Sequence, residues 1–285
     1  MRRLIVNADD FGLTDGINRA VVDLHNAGAL TSATLMAAAP RFQQAADLAR
    51  QHASLGVGCH IVLVDGSPIS DASAVPSLLA SRPAGPGFRT TLGTFVRDLS
   101  LGRIDRTDIE REAIAQIRKL QQSGIAVTHI DTHKHTHMFP PVLDAVARAA
   151  NQCGVQAIRN PFEPAWSAAA TPNAGPSRKL QVRLLGSFGA NFRRVVKERQ
   201  LTTTDGCLGV LATGTLDWAT LDSLLRRMPQ GTWELVCHPA YVDDELRGTR
   251  TRLQQSREIE LNALKPLPDL LGQRDIRTAH FGQIA

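Results

Sequence analysis

The feature that most constrains this chain is its repeated alternation of short apolar runs with longer segments of helical periodicity. Residues 4–7, opened by the apolar Leu4, Ile5 and Val6, read as a short buried strand, and Ile17, Ala20, Val21 and Leu24 then recur at helical spacing before Gly28. Apolar residues three and four apart define one helix face, and a glycine just past the last of them marks a helix end. The unit returns along the chain, with strands predicted at 30–37, 55–63, 126–130, 156–159, 233–237 and 278–281. Helices are predicted at 42–49, 107–122, 140–150 and 216–227, with a long one ending near 267. Thr107 with Glu110 reads as a capping box, and Gly124 follows the end of that helix. Strands that alternate with helices call for a parallel sheet, since each crossover helix returns the chain to the same sheet edge. The expected class is therefore α/β, either an open doubly wound sheet or a barrel of βα units, and 285 residues suit one such domain.

Three stretches break the pattern. Residues 65–88 are rich in Pro, Ser, Ala and Gly and predict a long irregular loop of the kind that often covers an active site, and 161–177 predicts a second loop. Residues 179–201 predict one or two basic amphipathic helices broken near Gly186 and Gly189. There Leu180, Leu184, Leu185, Phe188, Phe192 and Val196 alternate with Arg183, Arg193, Arg194 and Lys197. Such a stretch can lie on an anionic membrane, although packing on the core needs the same spacing and is the commoner outcome. No run approaches the roughly 20 apolar residues of a membrane span. Two arginines and then a short run ended by Asp9 and Asp10 lack a signal-peptide core, so a cytoplasmic protein is expected. A net charge of +5 selects no partner, and a single tyrosine with 5% aromatics leaves few platforms for stacking bases, so no nucleic-acid role is expected. Cys59, Cys153, Cys207 and Cys237 are widely spaced with no C-x-x-C pair, which fits buried thiols better than a disulfide framework or a zinc ribbon.

In parallel α/β folds functional side chains collect at the C-terminal ends of strands. Asp9 and Asp10 follow the first predicted strand, His60 lies near the end of the third, Asp131 and His133 follow the fourth, Arg159 ends the fifth and His238 ends the sixth. Taken singly, each has a plainer reading: a solvated turn for the aspartates, a hydrogen-bonded core residue for His60, and a cap on backbone carbonyls for His238. Between 129 and 137, His129, His133, His135 and His137 occupy alternate positions, which extended backbone would place on one face to gather ligands or shuttle protons. A solvated histidine-rich loop is the alternative. An aspartate with two histidines suits Zn²⁺, Mn²⁺ or Fe²⁺, whereas Mg²⁺ would need more water ligands. Asp9 could then take a proton from a bound water and His238 protonate a leaving amine, with Arg159 orienting Asp9 or pairing with another acid. Cys59 and Cys237 adjoin His60 and His238 and so should point the opposite way, which argues against a cysteine nucleophile.

The segments Asn7-Ala8-Asp9-Asp10-Phe11-Gly12-Leu13, Gly58-Cys59-His60-Ile61-Val62-Leu63, Thr128 through Met138 and Cys237-His238-Pro239-Ala240 resemble, in order, those of the YdjC-like carbohydrate deacetylases, which include chitooligosaccharide deacetylases. The resemblance implies a distorted (β/α) barrel similar to the polysaccharide deacetylases, and one divalent metal ion, Mg²⁺ or Zn²⁺. It implies Asp10, His60 and His133 as metal ligands, Asp9 as general base and His238 as general acid. His129, His135 and His137 are left to support the ligands or face substrate. Residues 60–68, His-Ile-Val-Leu-Val-Asp-Gly-Ser-Pro, further resemble the hopanoid-biosynthesis-associated branch, which implies an N-acetylglucosaminyl hopanoid as substrate. The partner expected is therefore an amino sugar, small or lipid-linked, and the branch leaves room for peripheral membrane contact and for a homodimer. A metal-dependent phosphoesterase and a non-catalytic glycolipid-binding protein remain as alternatives on the residues alone.

Overall fold

A computed structural model describes residues 1–80, 87–171 and 174–285, so residues 81–86 of the first expected loop and 172–173 of the second lie outside the described residues. The elements run β1 Arg2–Phe11, α1 Asp15–Asn26, β2 Ser32–Leu35, α2 Phe42–Gln51, β3 Gly56–Ile61, β4 Leu79–Ala80, β5 Gly87–Phe88, α3 Leu92–Ser100, α4 Arg106–Gln122, β6 Val127–Thr132 and α5 Pro140–Gln152. They continue with α6 Ala165–Ala170, α7 Pro176–Leu185, α8 Gly189–Glu198, β7 Gly206–Leu208, α9 Trp218–Arg227, β8 Gly231–Cys237, α10 Asp244–Gly248, α11 Gln255–Leu264, α12 Leu267–Gln273 and β9 Ile276–Thr278.

The main sheet has the order β6-β3-β2-β1-β8-β7 and every pairing in it is parallel. β9 pairs with Arg2 to Leu4 of β1, whereas β2 pairs with β1 further along, from Asn7 to Phe11. Beyond β6, among the described residues, two isolated parallel bridges, Ile130 with Ile158 and Ala157 with Thr202, carry the sheet onward. The strand expected at 156–159 is reduced to these because Pro161 follows at once, and a proline offers no N–H to a ladder. The result is an α/β half-barrel of parallel strands with helices, the distorted barrel expected. Its strands are buried on both faces, which is why they read as continuous apolar runs. Ile5, Ala157 and Phe281 form a small apolar cluster of their own, and His129 stacks on Phe281 with ring centroids 3.9 Å apart. That ring explains Gly58: a Cβ there would come within 2.3 Å of it.

Several expectations are corrected. β1 runs through Asp9 and Asp10 instead of ending before them, and its register with β2 slips between Ala8 and Phe11. Asp10 takes the left-handed φ of 65° there, so the irregularity re-aims its side chain. The capping box at Thr107 and Glu110 does not form, since Asp105 is the N-cap and accepts the Thr107 N–H at 2.8 Å. The single long helix expected to end near 267 is two, α10 and α11, and α12, opened by Pro266, begins where it was expected to end. β7 was not foreseen because three residues are too few to show a period. The first irregular loop lies along α4, with the N–H groups of Ile69 and Ser70 on the Glu112 carboxylate and that of Ser77 on Asp108, and α3 follows it. The basic stretch splits at its glycines. α8 buries Phe192, Val195 and Val196, whereas α7 leaves Leu180 and Leu184 59% and 64% exposed.

Glu163 fixes the loop after β7, accepting the Leu211 N–H at 2.5 Å and the Ser167 hydroxyl at 2.9 Å. Burial pushes its carboxyl up to about 7, more than these bonds lower it. A folded-state value above the unfolded one means the folded protein binds the proton more tightly. Glu163 therefore contributes stability at pH below its unfolded value that is lost as pH rises through about 7. Thermal melts at pH 5 and pH 8 should show a smaller fall for Glu163→Gln than for the parent protein, and equal falls would remove Glu163 as the cause.

Candidate active site

The polar side chains expected at strand ends do converge. Asp9 and Asp10 come from β1, His60 from β3, Asp131 from β6, Arg159 from the bridge after it, and His238 from the residue after β8. The donor atoms Asp10 Oδ1, His60 Nε2 and His133 Nδ1 form a nearly equilateral triangle, with sides of 3.6 Å, 3.4 Å and 3.3 Å. Ligand bonds of about 2.0–2.1 Å in a tetrahedral zinc site imply edges of about 3.3–3.4 Å. Asp10 Oδ1 is buried with no hydrogen-bond partner among the described residues, as a ligand atom would be. The His60 imidazole has its Nδ1 2.8 Å from Asp131 Oδ1, which places the proton on Nδ1 and turns the bare Nε2 into the triangle. Burial opposes charging His60, but the carboxylates of Asp131 and Asp9 prevail and raise it to about 9, so this corner attracts positive charge. The residues present therefore fit a single divalent cation.

A second group, Asp9, His60 and Asp131, also brings three possible ligand atoms together. It already has its cation. The buried Arg159 guanidinium donates to Asp9 through Nη2 at 2.7 Å and Nη1 at 2.9 Å, to Glu234 through Nε at 2.8 Å, and contacts Asp131 through Nη1. Burial pushes Glu234 up to about 8 despite Arg159, so at neutral pH the guanidinium mainly balances Asp9 and Asp131. This placement disfavours the two-metal arrangement common in phosphoesterases.

Asp9 is saturated on one side only. Its Oδ1 accepts from Arg159, from Asn7 Nδ2 at 3.0 Å and from Thr34 Oγ1 at 3.1 Å, while Oδ2 accepts from Arg159 alone and lies 3.9 Å from His238 Nε2. Burial works against ionising Asp9, and Arg159 overrides it and holds the carboxyl far below the usual range. Asp10 is held low in the same way, by Arg257, whose Nη2 donates to its Oδ2 at 2.5 Å.

The histidine cluster does not line one face. Residues 133–138 form a 3₁₀ turn in which Lys134 and His135 take left-handed φ angles of 57° and 52°, a strained conformation for residues with side chains. His133 alone of the four joins the triangle. His129 lies against Phe281, and His137 sits between the Thr132 hydroxyl, 2.7 Å from Nδ1, and the Arg159 carbonyl, 3.2 Å from Nε2. Burial pushes His137 down to about 3, and burial with Arg159 lowers His129 and His135 as well, so all three stay neutral. Lys134 reaches Asp65 at 3.0 Å, which ties the start of the first loop to this turn. Burial raises Cys59 and Cys237 well above an ordinary thiol, in keeping with inert core residues.

Sequence reasoning missed Arg257 and Glu260. Both lie on α11 in the buried stripe with Leu261 and Leu264, so their i, i+3 placement among leucines was the available signal.

The model for YdjC-like proteins matches residues 3–266. The chain belongs to this family. Among its relatives, a carbohydrate deacetylase of Brevibacillus brevis is 30% identical and covers 99% of each chain, and one of Geobacillus stearothermophilus is 34% identical over 89% of this chain and 86% of its own. A chitooligosaccharide deacetylase of Salmonella typhimurium is 29% identical over 98% of both chains. In solved structures, an Enterococcus faecalis protein described as a cellobiose-phosphate cleavage protein aligns over 100% of this chain and 99% of its own, with a TM-score of 0.77 at 25% identity. This YdjC-like chain has, among its described residues, no helix long and apolar enough to cross a membrane.

Proposed function

We propose that this YdjC-like protein is a metal-dependent carbohydrate deacetylase that hydrolyses the acetamide of an N-acetylated amino sugar to acetate and the free amine. The deacetylase assignment follows the name shared by relatives that match nearly the whole chain. The observation that carries the mechanism is the triangle of Asp10, His60 and His133 set beside the pair of Asp9 Oδ2 and His238 Nε2. A divalent ion held by the triangle, Mg²⁺ or Zn²⁺, supplies Lewis acidity towards the carbonyl and acidifies a water. Asp9 Oδ2, the oxygen its other donors leave open, takes the proton of the attacking water. Arg159 fixes the plane of that carboxylate and keeps it anionic between turnovers. A carboxylate held so acidic retains a proton weakly, and His238 Nε2 is placed to deliver one to the nitrogen as the C–N bond breaks.

The acceptor we assign is a hopanoid lipid carrying N-acetylglucosamine, with chitooligosaccharides as the alternative. It is supported by residues 60–68 and by the exposed Leu180 and Leu184 of α7, one helical turn apart with Arg183 beside them, which suit a protein working at the cytoplasmic face of a membrane. The test is acetate release by protein reconstituted with Zn²⁺ or Mg²⁺, offered N-acetylglucosaminyl hopanoid or N,N′-diacetylchitobiose. Release from the hopanoid at the higher kcat/KM is expected, and metal-stripped protein should release nothing. Preference for diacetylchitobiose would overturn the lipid assignment, and no release from either substrate with either metal would overturn the deacetylase.

A further inference from the structure

We propose that Glu260 is the positioning residue for the proton donor: its carboxylate holds the His238 ring with hydrogen on Nδ1 and Nε2 turned towards Asp9 and the departing amine. The proposal rests on His238 being that donor. A charged side chain on the buried stripe of a helix loses its hydration and persists only where it is paired. Glu260, 1% exposed, accepts two backbone N–H groups and faces one imidazole among the described residues. Its Oε1 accepts the Gly214 N–H at 3.0 Å, and its Oε2 accepts the N–H of His238 itself at 2.5 Å. The same Oε2 stands 3.7 Å from His238 Nδ1, a buried atom with no hydrogen-bond partner among the described residues. Turning the ring towards Oε2, which the His238 backbone N–H already anchors, would bring Nδ1 onto that oxygen.

The imidazole therefore lies between two carboxylates with different tasks. Glu260 faces Nδ1 from α11 and Asp9 faces Nε2 from β1, while His135, on the turn after β6, is a further titratable group near the ring that burial keeps neutral. With Glu260 on Nδ1, the neutral ring keeps its proton there and leaves Nε2 bare. The protonated ring then carries the transferable proton on Nε2, at the side of the reaction. One turn earlier on the same helix, Arg257 donates to Asp10, and its carbonyl accepts the Ala240 N–H at 3.3 Å. α11 thus spans from the metal corner to the donor and holds the spacing between them.

The test compares the metal-loaded full chain with Glu260→Gln and Glu260→Asp. Long-range ¹H–¹⁵N NMR follows the His238 ring, assigned by its loss in His238→Gln. Glu260→Gln removes the charge while keeping the shape, so the His238 titration should move down by about 1 pH unit and the Nδ1–H tautomer should lose population. kcat for diacetylchitobiose should fall about 10- to 100-fold with KM and metal content unchanged. Glu260→Asp should recover most of the titration, and Glu260→Gln should cost nothing further in a His238→Gln background. A merely structural Glu260 would lower the melting temperature and leave the titration in place, which overturns the proposal, as would losses that multiply in the double variant. If Glu260→Gln does not fold, an unmoved His238 titration in Glu260→Asp together with unchanged kcat overturns it equally. The NMR arm needs no turnover, so absence of deacetylation in the parent protein refutes the proposed function, while the NMR arm still shows whether Glu260 sets the His238 tautomer.

Discussion

Asp10→Ala is expected to abolish metal retention and lower kcat/KM by about 1,000-fold or more. Asp10 Oδ1 is the one carboxylate oxygen of the triangle, and without it His60 Nε2 and His133 Nδ1 form a two-point site. Lewis-acid stabilisation of developing charge amounts to several kcal/mol, and each 1.4 kcal/mol or so is tenfold in rate. The variant also leaves Arg257 buried without its carboxylate, so its melting temperature must be measured in parallel. Asp9→Asn provides the contrast: it should keep the metal and lose turnover. Elemental analysis after dialysis against chelator, together with acetate release, separates the two, and an Asp10→Ala protein that kept stoichiometric metal would remove Asp10 from the ligand set.

Arg159→Met is expected to be the most destabilising single substitution at the site. Methionine fills similar space but strands Asp9 and Asp131 as buried anions, and removing one partner of a buried ion pair costs about 3–5 kcal/mol. That is a large part of the roughly 5–15 kcal/mol by which a domain is stable, so a melting temperature lower by about 10 °C or more should follow. Arg159→Lys should recover part of the stability and little of the activity. A single ammonium cannot make the paired bonds to both Asp9 oxygens while also reaching Glu234. Circular dichroism melts of the two variants check this, and an Arg159→Met protein as stable as the parent would show that the network carries no stability.

These two sites differ in how far they could be read from the chain. Asp10, His60 and His133 were legible as candidates, with Asp9, Asp131 and His238, because polar residues that follow apolar runs in a βα pattern fall at one end of a parallel sheet, and only the family resemblance singled the three out as ligands. Arg159 was legible for the same reason, though its three acidic partners were not. Glu234 lies within an apolar strand run, where nothing local indicates which buried charge it will meet. The alternation of His129, His133, His135 and His137 misled because it assumed extended backbone. β6 stops at Thr132, and the chain then turns through two left-handed residues, so that alternate positions cease to share a face. Arg257 and Glu260 escaped notice because one long helix was expected where two short ones form, and their inward placement depends on where α11 begins.

What the sequence by itself determined is the set of longer local periodicities, from β1, β2, β3, β6 and β8 to the helices between them, and hence that chemistry-bearing residues collect at one sheet end. Those follow from backbone geometry and the burial of apolar faces, which act over a few residues at a time. Only the tertiary structure decided which cation meets which anion. Arg159 and Asp9 are 150 residues apart, and Arg257 and Asp10 are 247 apart. Pairings of that range are fixed by the parallel register of β1 with its neighbours and by the docking of α11, and no local propensity encodes either.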